Sequence, residues 1–454
     1  PGHRDFSEDT YRVLTAVDSA LMVIDAANGV EAQTKRLIEV CRQRDTPIMT
    51  FVNKMDREGR DPIELLDEIE AELGMPCVPM TWPVGQGKAF GGIINLRTQT
   101  MRVFQPGEDT VEASAAEEIP LSDTATLKAR FGADFDHAMA NIELLSGVSP
   151  AFDREAFLAA RQTPVFFGSA VNNFGVQEVL DALVDLAPPP HPRASSNADG
   201  SLTEIAPDSE GFSGVVFKVQ ANMDPQHRDR IAFVRVCSGK YASGMKLKVV
   251  RSGKEMRPTS VVTFLSQRRE AVDEAYAGDI IGFTIHGGVQ LGDTITDGAS
   301  LQFTGLPFFA PELFQTVELK NPLKSKQLQQ GLAQLGEEGA IQVFKPQLGS
   351  LMLLGAVGQL QFEVVQHRLS TEYKAEIALK GSQFVGARWV TCDDPAEMKK
   401  FMDYNAAKLA YDAADTLAYL LTSNYDLRLT QERHPKIQFH PLREHAGLKL
   451  EQAA

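Results

Sequence analysis

No stretch of this sequence approaches the about eighteen consecutive apolar residues that a membrane-crossing helix needs, and no charged segment leads into an apolar one and a cleavage site at the N-terminus. Cysteine is scarce. Cys41, Cys77, Cys237 and Cys392 are scattered, with no C-x-x-C pair and no histidine at metal-ligand spacing, which excludes a disulfide framework and a structural zinc site. Fixed-period repeats and low-complexity tracts are missing too. These absences predict a soluble cytoplasmic chain with reduced thiols, no membrane partner and no metal ligands among its own residues.

What is present is large and apolar enough to be divided. A chain of 454 residues, 43% hydrophobic, exceeds the size at which one core keeps growing, so two to four domains are expected. The net charge of -15 is unevenly spread: residues 1–190 carry 16 Lys plus Arg against 30 Asp plus Glu, and residues 191–454 carry 29 against 30. Within the near-neutral part, Lys240, Lys246, Lys248, Arg251, Lys254 and Arg257 are opposed only by Glu255. Such a patch reads equally as solvated strand positions that protect a sheet edge or as an RNA contact.

Periodicity divides the chain further. Ala20 to Ile24 reads as a buried strand, Glu31 to Arg44 as a helix with Leu37, Ile38 and Cys41 on one face, and Pro47 to Val52 as a second strand. With the helix Pro62 to Leu73 this is the βαβ rhythm of a parallel sheet. The rhythm breaks between about 74 and 163, which reads as an insertion, and resumes with the strand Pro164 to Phe167 and the helix Val176 to Leu186. The run Ala187 to Pro192 is a semi-rigid spacer, and the polar segment through Gly211 reads as linker. Short Gly-punctuated strands from Gly214 to about Thr304 suggest a small antiparallel barrel, and strands alternating with helices from Phe308 onward suggest a two-layer α+β domain.

The sharpest chemical signal is Asn53-Lys54-Met55-Asp56, directly after a strand, where open α/β sheets bind ligands. A carboxylate at Asp56 can accept from the ring N–H and the exocyclic amine of guanine, whereas adenine would present a lone pair. Asn53 would tie the loop to its neighbours and to the base, and the Lys54 stem would cover the purine face. Gly168-Ser169-Ala170 also follows a strand, with small residues that allow close approach and an Ala170 N–H suited to the guanine carbonyl. Pro1-Gly2-His3 opens the chain; Gly2 could offer its N–H to a terminal phosphate and His3 could hold an attacking water in line. Each run alone also fits a plain turn or cap, but the three in this order spell a guanine-nucleotide site.

At this point the sequence resembles the translational GTPases, in which these runs correspond to Asp-Thr-Pro-Gly-His, Asn-Lys-x-Asp and Gly-Ser-Ala. Within them it is similar to the peptide chain release factor three family, through Asp9 to Ala27, Thr46 to Asp67, Thr81-Trp82-Pro83, Ala221 to Pro225, Val236 to Tyr241, Gly355 to Gly358 and Gln431-Glu432-Arg433. The resemblance implies a partial P-loop-type GTPase α/β domain (1–190), a linker (191–211), a β-barrel (212–304) and an α+β domain (305–454). It further implies a likeness in function: ribosome-activated hydrolysis of GTP to GDP that releases and recycles class I release factors, by a monomer whose partners are the ribosome with its RNA and those factors. The implied nucleotide-binding residues are Pro1, Gly2, His3, Asn53, Lys54, Met55, Asp56, Gly168, Ser169 and Ala170, with His3 catalytic.

One departure stands out. The family begins with Gly-x-x-x-x-Gly-Lys-Ser/Thr, yet here Gly87-Lys88 precedes Ala89, Gly239-Lys240 precedes Tyr241 and Gly253-Lys254 precedes Glu255. The expectation is therefore a truncated copy, beginning at Pro1, whose magnesium ligands lie in a missing segment and which does not itself turn over GTP. The alternatives are a non-hydrolysing ribosome-binding fragment and elongation factor G, which continues with further domains.

Overall fold

Alternating apolar strands and amphipathic helices produce the α/β pattern expected of the first part of the chain. The structure, a computed structural model, describes residues 7–104, 117–197, 199–221, 230–258, 260–265, 268–285, 288–349 and 352–444. They fall into two compact units, one of Val17–Pro189 and one joining the described residues of Pro1–Ala16 to those of Pro190–Ala454. In chain order the elements up to Leu186 are α1 (Ser7–Thr15), β1 (Ala20–Asp25), α2 (Ala32–Gln43), β2 (Ile48–Asn53), α3 (Pro62–Leu73), β3 (Cys77–Pro79), β4 (Thr81–Val84), β5 (Gly92–Asn95), β6 (Thr100–Val103), β7 (Glu118–Pro120), α4 (Thr124–Val148), α5 (Arg154–Leu158), β8 (Thr163–Phe167) and α6 (Val176–Leu186).

In the unit Val17–Pro189 a parallel sheet runs in the order β1-β2-β8-β3. Its helices begin and end where local chemistry dictates. Asp61 caps α3 by accepting from Ile63 N–H at 2.8 Å, Pro62 takes the first helical position, and Gly74 closes the helix at φ 65°. The face so formed buries Leu65, Leu66, Ile69 and Leu73. On another side, Val179, Ala182 and Leu186 of α6 pack with Met49, Phe51, Phe157 and Phe166. Each large apolar side chain removed from water in this way contributes about 1.5–3 kcal/mol.

Three expectations change here. β1 forms, but Leu21 and Val23 are 41% and 54% exposed, because β1 is an outer strand whose alternate side chains leave the core. The insertion is narrower than 74–163, since β3 pairs with β8 and so belongs to the parallel sheet; three residues are too few to show a period. What is inserted is the antiparallel sheet β4-β5-β6-β7 with α4. Arg102 of β6 ties this sheet to α6, meeting Glu178 and Glu118 at 2.9 Å each. Third, the linker contains strands: Arg193–Asn197 pairs with Leu202–Ile205 and with Leu301–Phe303. Both buried serines are partnered: Ser195 Oγ lies 3.1 Å from Thr203 Oγ1 across the ladder, and Ser196 Oγ donates to Asn197 O at 3.3 Å.

The second unit has two large antiparallel sheets. One has eight strands from Lys254–Met256 at one edge to Arg268–Ala271 at the other, around a core that includes Phe212, Val216, Val234, Tyr241, Leu247, Val261, Phe283 and Ile295. The other has eight strands from Ile377–Gly381 to Gln438–His440. The helices Ser325–Glu337 and Gln359–Thr371 pack on it through Leu332, Leu335, Phe362, Val365 and Leu369, giving the expected α+β layers. Helix α1 groups with this unit rather than with residues 17–189, as the division at 190 would have it. The physical reason is apolar: Ala16 packs with Phe217, Leu291 and Leu306, and the Tyr11 and Phe309 rings lie 5.1 Å apart.

Half of the basic run is ion-paired, two of its members with acids distant in sequence. Lys240 pairs with Glu274 at 2.6 Å, Lys246 with Glu255 at 2.7 Å, and Arg251 grips Asp293 at 2.6 and 3.0 Å. Lys248, Lys254 and Arg257 have no ion pair among the described residues. Asp293 is wholly buried, so Arg251→Ala, which removes its cation, is expected to cost about 3 kcal/mol in urea unfolding; a loss below the error of the measurement would refute that role. Glu178 gives a pH signature. Burial pushes its carboxyl up from the ordinary 4.5 more than Arg102 pulls it down. A raised carboxyl pKa means the folded state holds its proton longer, so stability from this group is complete below 4.5 and declines as pH rises toward the folded value. The stability difference, Glu178→Gln minus the unsubstituted protein, should therefore grow as pH rises above 4.5, a trend that denaturation at a series of pH values would reverse or leave flat if the assignment is wrong.

Candidate nucleotide-binding site

Two strands far apart in sequence end side by side. β2 and β8 pair in parallel with Val52 opposite Phe167, so the loops that follow Asn53 and Phe167 leave the same carboxyl edge of the sheet. Their backbones clasp: Gly168 N–H donates to Val52 O at 3.0 Å, and Met55 N–H donates to Gly168 O at 3.1 Å. Gly168 is required by space, since a Cβ there would lie 2.3 Å from Phe174 O and 3.0 Å from the Phe51 ring.

The side chains continue this clasp. Asn53 Oδ1 accepts from the N–H groups of Lys54 and Ala170, both at 2.8 Å. The Ala170 N–H, expected to meet the guanine carbonyl, is therefore engaged by Asn53 instead, because the register brings the two loops within one side chain's reach. Asp56 Oδ1 accepts the Ser169 hydroxyl at 2.5 Å, and Asn172 Nδ2 donates to the same Ser169 Oγ at 2.7 Å. Ser169 is fully buried, which holds that hydroxyl on the carboxylate. Met55 is also fully buried and anchors the loop from beneath, its carbonyl accepting from Gly87 N–H at 2.9 Å.

Lys54 sits in the left-handed region at φ 70° and donates through Nζ to Asp25 Oδ2 at 2.6 Å. That ammonium holds the Asp25 carboxyl below the usual carboxylate range. Sequence reasoning did not select Asp25, although a usable signal existed: an acid at the carboxyl end of the strand next to the motif strand, opposite Asn53 in register. The structure thus brings together Asn53, Lys54, Met55, Asp56, Gly168, Ser169 and Ala170. Pro1, Gly2 and His3 lie outside the described residues.

Chemically, this edge offers an oriented carboxylate and an amide. Among the described residues, Asp56 Oδ2 accepts no hydrogen bond and Asn53 Nδ2 donates none, so the clasp keeps one acceptor and one donor for a ligand. A guanine edge, with an N–H and an amine together, is complementary to the acceptor. No group of three or more His, Cys, Asp or Glu among the described residues could hold a metal ion. No helix among them is long and apolar enough to cross a membrane.

Comparison with known proteins places each part of the chain in a family. Residues 1–189 match the family model of the elongation factor Tu GTP binding domain, 211–298 that of elongation factor G domain 2, and 303–431 that of the class II release factor RF3 C-terminal domain. The chain is 62% identical over 448 residues to peptide chain release factor 3 of Bordetella pertussis, covering 98% of this chain and 83% of that protein. It is 61% identical over 455 residues to the same-named protein of Nitrosomonas eutropha, covering 100% and 84%. A crystal structure from Thermus thermophilus shares the fold with a TM-score of 0.65 at 22% identity, over 87% of this chain and 60% of that one. The C-terminal match separates the chain from elongation factor G, whose domain 2 it shares. With a GTP-binding domain followed by a release-factor C-terminal domain, and with such relatives along nearly its whole length, the chain belongs to the peptide chain release factor 3 family of translational GTPases, which act in translation termination.

Proposed function

We propose that this protein uses GTP on the ribosome, in the cytoplasm and as a monomer, to free class I release factors once the finished peptide has left. The observation that carries the reading is the oriented Asp56 carboxylate, held by the buried Ser169 at the edge where two parallel strands end. In this reading Asp56 accepts from guanine N1–H and the 2-amino group, Asn53 offers its amide to the base, and the Lys54 stem covers the ring. Met55, Gly168, Ser169 and Ala170 shape the floor. By sequence resemblance alone, Pro1 and Gly2 approach the terminal phosphate and His3 orients the water that attacks it. Hydrolysis is then mostly positioning and charge stabilisation, with magnesium beside the phosphates. The nucleotide-binding domain (1–190), barrel (212–304) and α+β domain (305–454) are the divisions through which hydrolysis acts, the last two meeting the ribosome and its RNA.

Calorimetric titration with GDP in magnesium buffer tests base recognition. Asp56→Ala removes charge-assisted hydrogen bonds worth about 1.5–3 kcal/mol each, so GDP affinity should fall at least ten-fold, on the order of 1.4 kcal/mol per decade, while inosine diphosphate, which lacks the 2-amino group, loses less. Equal losses for both nucleotides would sink the assignment. Ser169→Ala leaves Asp56 in place but unsteadied, and a smaller loss, about three-fold to ten-fold, is expected from one hydrogen bond. For the cellular role, GTP-dependent release of a class I factor from ribosomes that have just released their peptide should be measured with each protein; unaltered release by Asp56→Ala would contradict the proposal.

A further inference from the structure

Lys54 is the member of the Asn-Lys-Met-Asp run with the least to hold its side chain in place. Its backbone lies at φ 70°, a conformation that costs a residue with a side chain about 1–2 kcal/mol. Its four-carbon stem has several rotatable bonds, and the side chain is 44% exposed. A flexible lysine contributes little to a binding wall unless its tip is tied down, because ordering it on binding opposes affinity.

Asp25 supplies that tie. Its Oδ2 accepts from Lys54 Nζ at 2.6 Å, while its Oδ1 accepts from Ala27 N–H at 2.9 Å, so one carboxylate joins its own turn to the neighbouring loop. The position is dictated by the sheet: Asp25 is the last residue of β1 and lies opposite Asn53, and Asn53 O accepts from Ala26 N–H at 3.0 Å. Asp25 is therefore fixed by strand pairing before it meets the lysine, and its side chain is only 21% exposed.

We propose that Asp25 is a positioning residue for nucleotide binding, one that sets the Lys54 stem as a wall for the purine ring before the nucleotide arrives. This rests on the guanine-site reading above. The wall meets the face of the ring and not its edge, so its contribution is blind to the 2-amino group, which separates it from the contribution of Asp56.

The test is calorimetric titration of the full chain with GDP and with inosine diphosphate. Asp25→Asn is the informative variant, since an amide oxygen can still accept from Ala27 N–H while the charge that holds Lys54 is lost. It should weaken both nucleotides by the same factor, about three-fold to ten-fold, with melting still cooperative and lowered no further than by Lys54→Ala. In a Lys54→Ala background the same substitution should change nothing further. An undiminished effect in that background, unequal losses for the two nucleotides, or affinity equal to that of the unsubstituted protein would each overturn the proposal. If the unsubstituted chain binds neither nucleotide, the guanine-site reading itself fails, and the role of Asp25 fails with it.

Discussion

The parallel pairing of Ile48–Asn53 with Thr163–Phe167 is the constraint on which the candidate site depends. It brings together residues more than a hundred positions apart, as in the bonds from Ser169 to Asp56 and from Ala170 to Asn53. The pairing is secured from within: the buried hydroxyls of Thr50 and Thr163 lie 3.0 Å apart, and Thr163 Oγ1 donates to Ile48 O at 2.7 Å. Polar groups so buried are costly unless partnered, and here both are, which specifies one register over its neighbours. A shift by one residue would turn every side chain to the other face and separate Asn53 from Ala170.

Elsewhere, charge is used locally to fasten elements. Arg102 joins the inserted sheet to α6, and Arg251 closes on a buried aspartate in the eight-stranded sheet. Arg443 in the C-terminal layers does the same for Asp412, at 2.7 Å, while its guanidinium lies 4.5 Å from the centre of the Phe308 ring. Of the cations that cluster in sequence, Lys240, Lys246 and Arg251 are likewise tied to acids, which leaves Lys248, Lys254 and Arg257 without an ion pair among the described residues.

Much of the candidate site's assembly was legible because its signals are local. Asn53 to Asp56 and Gly168 to Ala170 each directly follow a strand, and strand ends are visible in a pattern of apolar residues. Helices α3 and α6 begin and end at Pro62, Leu73, Val176 and Leu186 as their caps and periodicity indicate. What escaped was non-local or short. Asp25 acquires meaning only from its register with Asn53, and Cys77–Pro79 joins the parallel sheet only through a partner at 163–165. The engagement of Ala170 N–H by Asn53 likewise depends on tertiary contact. Arg193–Asn197 looked like linker because its serines are polar, and they sit buried once Thr203 answers Ser195 across the ladder and Asn197 O accepts from Ser196.

The antiparallel sheet and the helical segment Thr124–Val148, kinked at Gly132, that lie between β3 and β8 have a consequence for the order of events during synthesis. A chain grows from its N-terminus, and contacts between distant residues must wait for both partners to emerge. Asn53 and Asp56 are made long before Ser169 and Ala170, with the whole inserted sheet produced in between. The half of the candidate site on the Asn53 loop is therefore made before its partner loop, while the sheet is still incomplete. On the proposed reading, guanine recognition waits until β8 pairs with β2, so a nascent chain would not respond to guanine nucleotides until nearly the entire first unit has been made.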